Sequence, residues 1–219
     1  MYIPTQTVSI CLVALLLHAF LGARKYELAL SLPASRDTAV WNFFTPLLVH
    51  INAIHLFGNL AFFLICGALV ELVHGAIALQ LLFWVTGVTG TLAEAASGNC
   101  KKCMYLGMSP SVLGMTGVYI AHLSFNWKQT KSKYIFLTAL SIYLIYSITY
   151  YIYNPPSDNV KVAHVSHAFG ILQGLFAGWV GARNIIAHPW EWILRLTGLG
   201  FATVTLVIIN SFINVQSAS

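Results

Sequence analysis

The sequence predicts an all-α fold, a polytopic membrane helix bundle. Of the 219 residues, 58% are hydrophobic and only 8% are charged, whereas an ordinary soluble domain has roughly 25% charged residues. Apolar runs close to the length that crosses a bilayer, about 20 residues, recur at 6–23, 51–70, 76–96, 109–126, 134–153, 163–182 and 193–213. The connections between these runs are too short for a soluble domain. We therefore expect residues 1–219 to form a single membrane domain with seven spans.

The first span, 6–23, follows the segment MYIPTQ, which carries no basic residue. A secretory signal peptide has a basic region at this place, so we expect an uncleaved first helix.

The 11 Lys and Arg residues are scattered over the loops and form no patch, which argues against nucleic acid as a partner. They also divide evenly between the two sides of the bundle, so the positive-inside rule gives no orientation.

The second span opens on the stretch HINAIHLFGN, which places His50, His55 and Asn59 at the mouth of an apolar helix. Residues four apart share a helix face, so His55 and Asn59 project together, while His50 lies on another face nearer the membrane surface. Ionisable groups inside a span are candidates for function because they are costly to bury. The alternative is that they hydrogen-bond a neighbouring helix and only hold the bundle together.

The third span, 76–96, ends near Glu94, which we expect to pair with loop groups. The loop after it contains the pair Cys100 and Cys103 in the segment NCKKC. One pair with this spacing and no further ligands nearby is weak evidence for zinc. A loop disulfide and two free thiols both remain open, and the sequence predicts no metal site.

The fourth span begins with GMSPSVLGMTG, where Ser109 lies between Gly107 and Pro110. Proline is tolerated in a first helical turn, so Ser109 would be presented at the helix mouth with its own N–H available. Gly114 and Gly117 lie below it and would let another helix approach closely. Capping of the helix is the alternative role for Ser109.

The fifth span, 134–153, ends in the turn YNPPSDN, and the sixth, 163–182, carries His167 followed by Gly170, Gly174 and Gly178. These glycines fall within about 60° of the direction of His167 on a helix of 100° per residue. One face is therefore bare backbone with an imidazole at its top. Packing of this face on the glycines of the fourth span would bring His167 to Ser109.

Two further residues compete for these roles. Ser111 is a minor rival for the nucleophile, and His164, in the entry turn of the sixth span, is a minor rival for the base.

Together these residues resemble the rhomboid family of intramembrane serine proteases. Four patterns of the family are matched here: H-x4-H-x3-N in its second helix, G-x-S-G followed by small residues in its fourth, H-x2-G-x3-G in its sixth and G-x3-E-x3-G at the end of its second. The matching residues are His50, His55 and Asn59; Gly107, Ser109, Gly114 and Gly117; His167, Gly170 and Gly174; and Gly67, Glu71 and Gly75. The resemblance covers about 5–183 as a six-helix core, so 193–213 would be an additional C-terminal transmembrane helix.

Three positions depart from the family pattern. Pro110 follows the serine where the family usually has glycine, and Asn42 replaces the arginine of a Trp-Arg pair in the first loop. Leu113 stands where many relatives place an aromatic ring against the histidine. We expect these changes to affect the level of activity more than the fold.

The resemblance implies hydrolysis of peptide bonds inside the membrane by a dyad of Ser109 and His167. It assigns His55, Asn59 and the Ser109 N–H to the oxyanion, with His50 in support, and it implies no cofactor. The partners would be transmembrane protein substrates and the lipid bilayer.

Two alternatives are carried forward. The first is a catalytically weak or inactive relative that binds transmembrane clients. The second is a proton or ion pathway lined by His55, Asn59, His167 and Glu94.

Overall fold

The computed structural model describes residues 3–32, 38–97, 103–154, 163–181 and 183–218, and side chains as far as residue 207. Within these ranges the chain forms seven α-helices and two short strands. In chain order they are α1 (Thr5–Leu21), β1 (Leu30–Leu32), α2 (Ala53–His74), α3 (Ala76–Ser97), β2 (Cys103–Tyr105), α4 (Ser109–Asn126), α5 (Lys133–Tyr153), α6 (His164–Gly181) and α7 (Glu191–Ala218). The all-α class is confirmed.

Helix α4 is the centre of the bundle. All of its residues except Ile120 and Ser124 are buried, and it packs against α2, α3 and α6. Around this core, α1 and α5 pack on α2, and α7 packs on α6. A helix enclosed by other helices need not be apolar all round, which is why α4 can carry serine, threonine and glycine.

Four helical segments in the described part of the chain are long and apolar enough to cross a membrane, namely Thr5–Leu28, Ala53–His74, Ala76–Ser97 and Lys133–Tyr153. The sequence predicted seven spans. Helices α4 and α6 carry glycine and serine on the faces that meet inside the bundle.

Helix α2 ends at a glycine for a conformational reason. Gly75 has φ 92°, a left-handed conformation that side chains disfavour, and its N–H donates to the Glu71 carbonyl. The Glu71 carboxylate in turn accepts hydrogen bonds from the backbone N–H of Gln6 and Thr7 and from the Thr7 hydroxyl. This buried glutamate therefore caps the first turn of α1 from the neighbouring helix.

The first loop lies beside the entrance of α4. Strands β1 and β2 pair antiparallel, with Leu30 opposite Tyr105. Asn42 donates to the carbonyl of Ala29 at 3.1 Å, so the amide that replaces the family arginine still ties the loop to β1. Two short 3₁₀ turns, Val40–Phe43 and Thr45–Leu48, then bring the chain to the start of α2.

Helices α4 and α6 approach each other through their glycines. A methyl group at Gly174 would overlap the carbonyl of Gly114, and one at Gly117 would overlap the carbonyl of Ile171. At the top of the same contact, Gly170 lies against the backbone of Pro110. The two helices therefore meet backbone to backbone.

Gly174→Ala is expected to destabilise the bundle, because the added methyl forces apart backbones that cannot yield as a flexible side chain would. Overpacking of this kind costs about 1–3 kcal/mol, so thermal unfolding in detergent should occur several degrees lower. The matched control is Gly200→Ala in α7, where a methyl meets nothing within 4 Å. Equal melting temperatures for Gly174→Ala and the wild type would contradict the close packing.

Candidate active site

The loop before α4 is shaped to present Ser109. Gly107 has φ 135°, donates its N–H to the Pro46 carbonyl at 2.9 Å, and has no room for a Cβ because the His55 ring would lie 2.8 Å away. Ser109 is the first residue of α4, so the helix itself supplies no acceptor for its N–H. Pro110 follows in the first turn, where its missing N–H costs nothing.

Ser109 and His167 are brought together. The Ser109 Oγ lies 2.7 Å from the His167 Nε2, a hydrogen-bonding distance. Ser109 is 6% exposed, and His167 is half-buried in the first turn of α6. The contact of Gly170 with Pro110 sets this distance, because Gly170 lies one turn below His167 and Pro110 is next to Ser109.

The rival residues lie elsewhere. The Ser111 hydroxyl donates to the Phe83 carbonyl at 2.8 Å, so it faces α3. His164 is exposed at the first position of α6. Neither shares in the hydrogen bond between Ser109 and His167.

His50 lies before α2 and not on it, which corrects the prediction that it occupies another face of that helix. The helix begins at Ala53, because the Asn52 side chain accepts from the His55 N–H and caps it. His50 is fully buried, and its Nε2 accepts the Met108 N–H at 3.4 Å. Burial, followed by the charges of His55, His18 and Lys25, lowers the pKa of His50 well below its usual value. A neutral imidazole suits this role as acceptor, so His50 supports the loop that leads into α4.

His55 lies between the loop and α5. Its ring is 5.3 Å from the His50 ring, stacks on the Tyr150 ring at 6.1 Å and touches Gly107. It therefore reaches the turn two residues before Ser109.

Asn59 is 2% exposed, and only one of the two polar atoms of its side-chain amide has a hydrogen-bond partner among the described residues. Tyr143 on α5 donates its hydroxyl to the Asn59 Oδ1 at 3.2 Å. The Nδ2 is buried and has no hydrogen-bond partner among the described residues. An unpaired buried donor is costly, so this NH₂ group is a candidate for a ligand contact.

The contact of Tyr143 with Asn59 was not predicted from the sequence, although the spacing of three tyrosines on α5 could have indicated it. Tyr143, Tyr146 and Tyr150 recur at helical spacing on α5, and their hydroxyls contact Asn59, the Ile54 carbonyl and Asn52 respectively. This row of tyrosines faces the polar mouth of α2.

The sequence predicted that Glu94 pairs with loop groups, but among the described residues its carboxylate contacts a helix. Its Oε2 accepts the backbone N–H of Ser166 at 2.9 Å, in the first turn of α6. The glutamate therefore contacts the residue that precedes His167, and no spacing in the sequence indicates that these residues meet.

Cys103 is disulfide-bonded, while Cys100 lies outside the described residues. In the described part of the chain, no three His, Cys, Asp or Glu side chains come together in a way that could hold a metal ion.

The chain is similar to a family of known proteins over most of its length. Residues 37–184 match the family model described as Rhomboid domain. The chain is 24% identical over 156 residues to the Rhomboid protease GlpG of Haemophilus influenzae, covering 68% of this chain and 73% of that protein. It is 24% identical to Rhomboid-related protein 1 of Caenorhabditis elegans, covering 77% of this chain and 49% of that protein. It is 23% identical to Rhomboid-like protease 1 of Toxoplasma gondii, covering 72% and 54%. The chain thus spans about half the length of the last two relatives.

Proposed function

The chain belongs to the rhomboid family of integral membrane proteins, and on that premise we propose that it is an intramembrane serine endopeptidase. The reaction would be hydrolysis of a peptide bond in a transmembrane segment of another protein. The observation that carries the proposal is the 2.7 Å contact between the Ser109 Oγ and the His167 Nε2.

The proposed chemistry begins with this pair. A serine hydroxyl is a weak nucleophile until an adjacent base accepts its proton. His167 accepts the proton as the Ser109 Oγ attacks the carbonyl carbon, and then returns it to the leaving amine. The acyl-enzyme is released when His167 activates a water molecule in the same way. The described residues place no carboxylate on the imidazole, so helix packing takes over the orienting role that an aspartate has in a triad.

Three groups are proposed to stabilise the oxyanion. They are the Ser109 N–H, which α4 leaves without an acceptor, the buried Asn59 Nδ2 and the His55 imidazole. A donor aimed at such an oxygen contributes about 2.7–4 kcal/mol to the transition state. The unpaired state of the Asn59 Nδ2 supports this assignment, because it leaves a buried donor free to bind a charge that appears only during the reaction.

A transmembrane substrate must change its conformation to be cleaved. The carbonyl of a helical residue is hydrogen-bonded and shielded, so the segment has to unwind near the dyad. The entrance lies at the end of the bundle that holds β1 and β2, because β2 leads directly into Ser109. In this proposal the six-helix core extends over residues 5–183, and the seventh helix is an addition that packs on α6.

The rival ion pathway is less well supported. It requires space between the helices that carry its polar groups, whereas Gly114 and Gly174 bring α4 and α6 into backbone contact.

A fluorophosphonate probe tests the proposal directly. Protein purified in detergent should be labelled on one serine, and peptide mapping should identify it as Ser109. The same preparation in liposomes should cleave a model transmembrane substrate, and a heat-denatured sample should do neither. A folded protein that is not labelled and does not cleave would refute the protease assignment and favour a relative that only binds transmembrane clients.

A further inference from the structure

The first turn of α6 is fastened at Ser166, the residue immediately before His167. Ser166 is fully buried and makes two hydrogen bonds to different parts of the bundle. Its N–H donates to the Glu94 Oε2 at 2.9 Å, and its Oγ accepts the Tyr105 hydroxyl at 2.6 Å. These bonds come from α3 and from β2, so one residue joins three elements.

The bond from Glu94 is a helix cap supplied by another helix. Ser166 is the third residue of α6, and the N–H groups of a first turn have no acceptor within the helix. A carboxylate at this end also interacts favourably with the helix dipole. Glu94 is 7% exposed, so water cannot readily replace it.

The bond from Tyr105 joins the same turn to the segment that carries Ser109. Tyr105 lies four residues before Ser109 and is 7% exposed, and the Ser109 side chain is close enough to influence its pKa. Burial raises the pKa of the Tyr105 phenol, so the group remains a neutral donor. The phenol therefore links the elements that supply the two proposed dyad residues.

A small residue on α3 makes the junction possible. A Cβ at Gly90 would lie 2.8 Å from the Pro110 Cβ and 2.9 Å from the Ser166 carbonyl oxygen. Helices α3, α4 and α6 thus meet at Pro110 and Ser166, which are the sequence neighbours of Ser109 and His167. Below this point α4 and α6 contact each other through the backbone at their glycines. Few side chains interlock there, so little else prevents small rotations of α6.

We propose that Glu94 and Tyr105 are positioning residues, which fix the first turn of α6 through Ser166 and so hold the His167 imidazole within reach of Ser109. The inference rests on the proposed protease function. It assigns neither residue a contact with substrate or with the imidazole itself.

The test compares Glu94→Ala with Glu94→Gln. The alanine variant loses the acceptor for the Ser166 N–H, so the His167 imidazole is held less firmly, and kcat should fall about tenfold with KM changed less than about twofold. Glutamine keeps an amide oxygen as acceptor and should restore most of the activity. Tyr105→Phe should also lower kcat with little change in KM.

Glu71→Ala is the matched control. Glu71 is also a buried glutamate that caps a helix from its neighbour, but it caps α1. The variant should melt at a lower temperature and retain the kcat of the folded fraction. If Glu71→Ala and Glu94→Ala lower kcat equally, or if Glu94→Gln is no better than alanine, the positioning role is wrong.

Backbone hydrogen exchange separates this inference from the protease proposal. In Glu94→Ala, the peptide that covers residues 163–168 should exchange faster than in the wild type, and in Glu71→Ala it should not. This readout needs no catalysis, so it holds even if the wild type cleaves nothing. Unchanged exchange of this peptide in Glu94→Ala would overturn the inference whatever the activity.

Discussion

Ser109→Ala is expected to reduce cleavage of a transmembrane substrate to background, a loss of about 10⁴-fold or more, as for other serine hydrolases that lose the nucleophile. The reason is that no other hydroxyl in the described residues is hydrogen-bonded to His167. Cleavage should be measured in liposomes under single-turnover conditions, with the melting temperature recorded for each variant. Because Ser109 is a small residue at a helix start, the alanine variant should fold as the wild type does.

Ser111→Ala is the control for this experiment. Its hydroxyl is committed to the Phe83 carbonyl on α3, so the variant should lose some stability and keep its activity. Probe labelling should disappear in Ser109→Ala and persist in Ser111→Ala. The reverse pattern would make Ser111 the nucleophile, and the dyad assignment would then be wrong.

The helices could be predicted from the sequence because a membrane span has a length requirement. The span expected at 109–126 is α4, and 76–96 and 134–153 differ from α3 and α5 by one residue at one end. Apolar length alone gives such boundaries, since charged or turn-forming residues flank each run. The contact of the glycine faces also follows from spacing, because residues three and four apart must share a side of a helix.

Contacts that depend on the path of a loop could not be predicted in this way. His50 was assigned to a helix face from its spacing of five residues to His55, but the cap at Asn52 makes α2 begin at Ala53, three residues after His50. The pairing of β1 with β2 joins two three-residue strands that are too short to show alternation. The bond between Glu94 and Ser166 spans 72 residues and has no local signal.

Two of the three departures from the family pattern, Pro110 and Asn42, are accommodated in the fold. Pro110 packs its ring towards Gly90 and its backbone on Gly170, so a residue larger than glycine fits after the serine. Asn42 still bonds the backbone at Ala29. With Pro110 and Asn42 in place, the Ser109 Oγ lies 2.7 Å from the His167 Nε2, so we expect these departures to affect the level of activity more than the fold.

Asn59→Ala is expected to lower kcat about 10²–10³-fold, the usual effect of removing one oxyanion donor. The Asn59 Nδ2 is buried with no partner among the described residues, so its hydrogen bond is available to a charge that forms during the reaction. KM should change little, because a donor used only in the transition state does not strengthen substrate binding. Single-turnover cleavage over a range of substrate concentrations measures both quantities.

The direction of the Asn59 amide can be tested through Tyr143. The Tyr143 hydroxyl donates a hydrogen bond to the Asn59 Oδ1 and so fixes the orientation in which the Nδ2 can donate to the oxyanion. Tyr143→Phe removes this orienting bond but keeps the donor, so it should lower kcat by a smaller factor than Asn59→Ala. Asn126→Ala is the matched control, because Asn126 is an equally buried asparagine near the other end of α4 that bonds His122 and the Arg183 carbonyl. It should reduce the melting temperature and spare kcat. If Asn126→Ala lowers kcat as much as Asn59→Ala, the loss reflects a loosened bundle, and Asn59 is not an oxyanion donor.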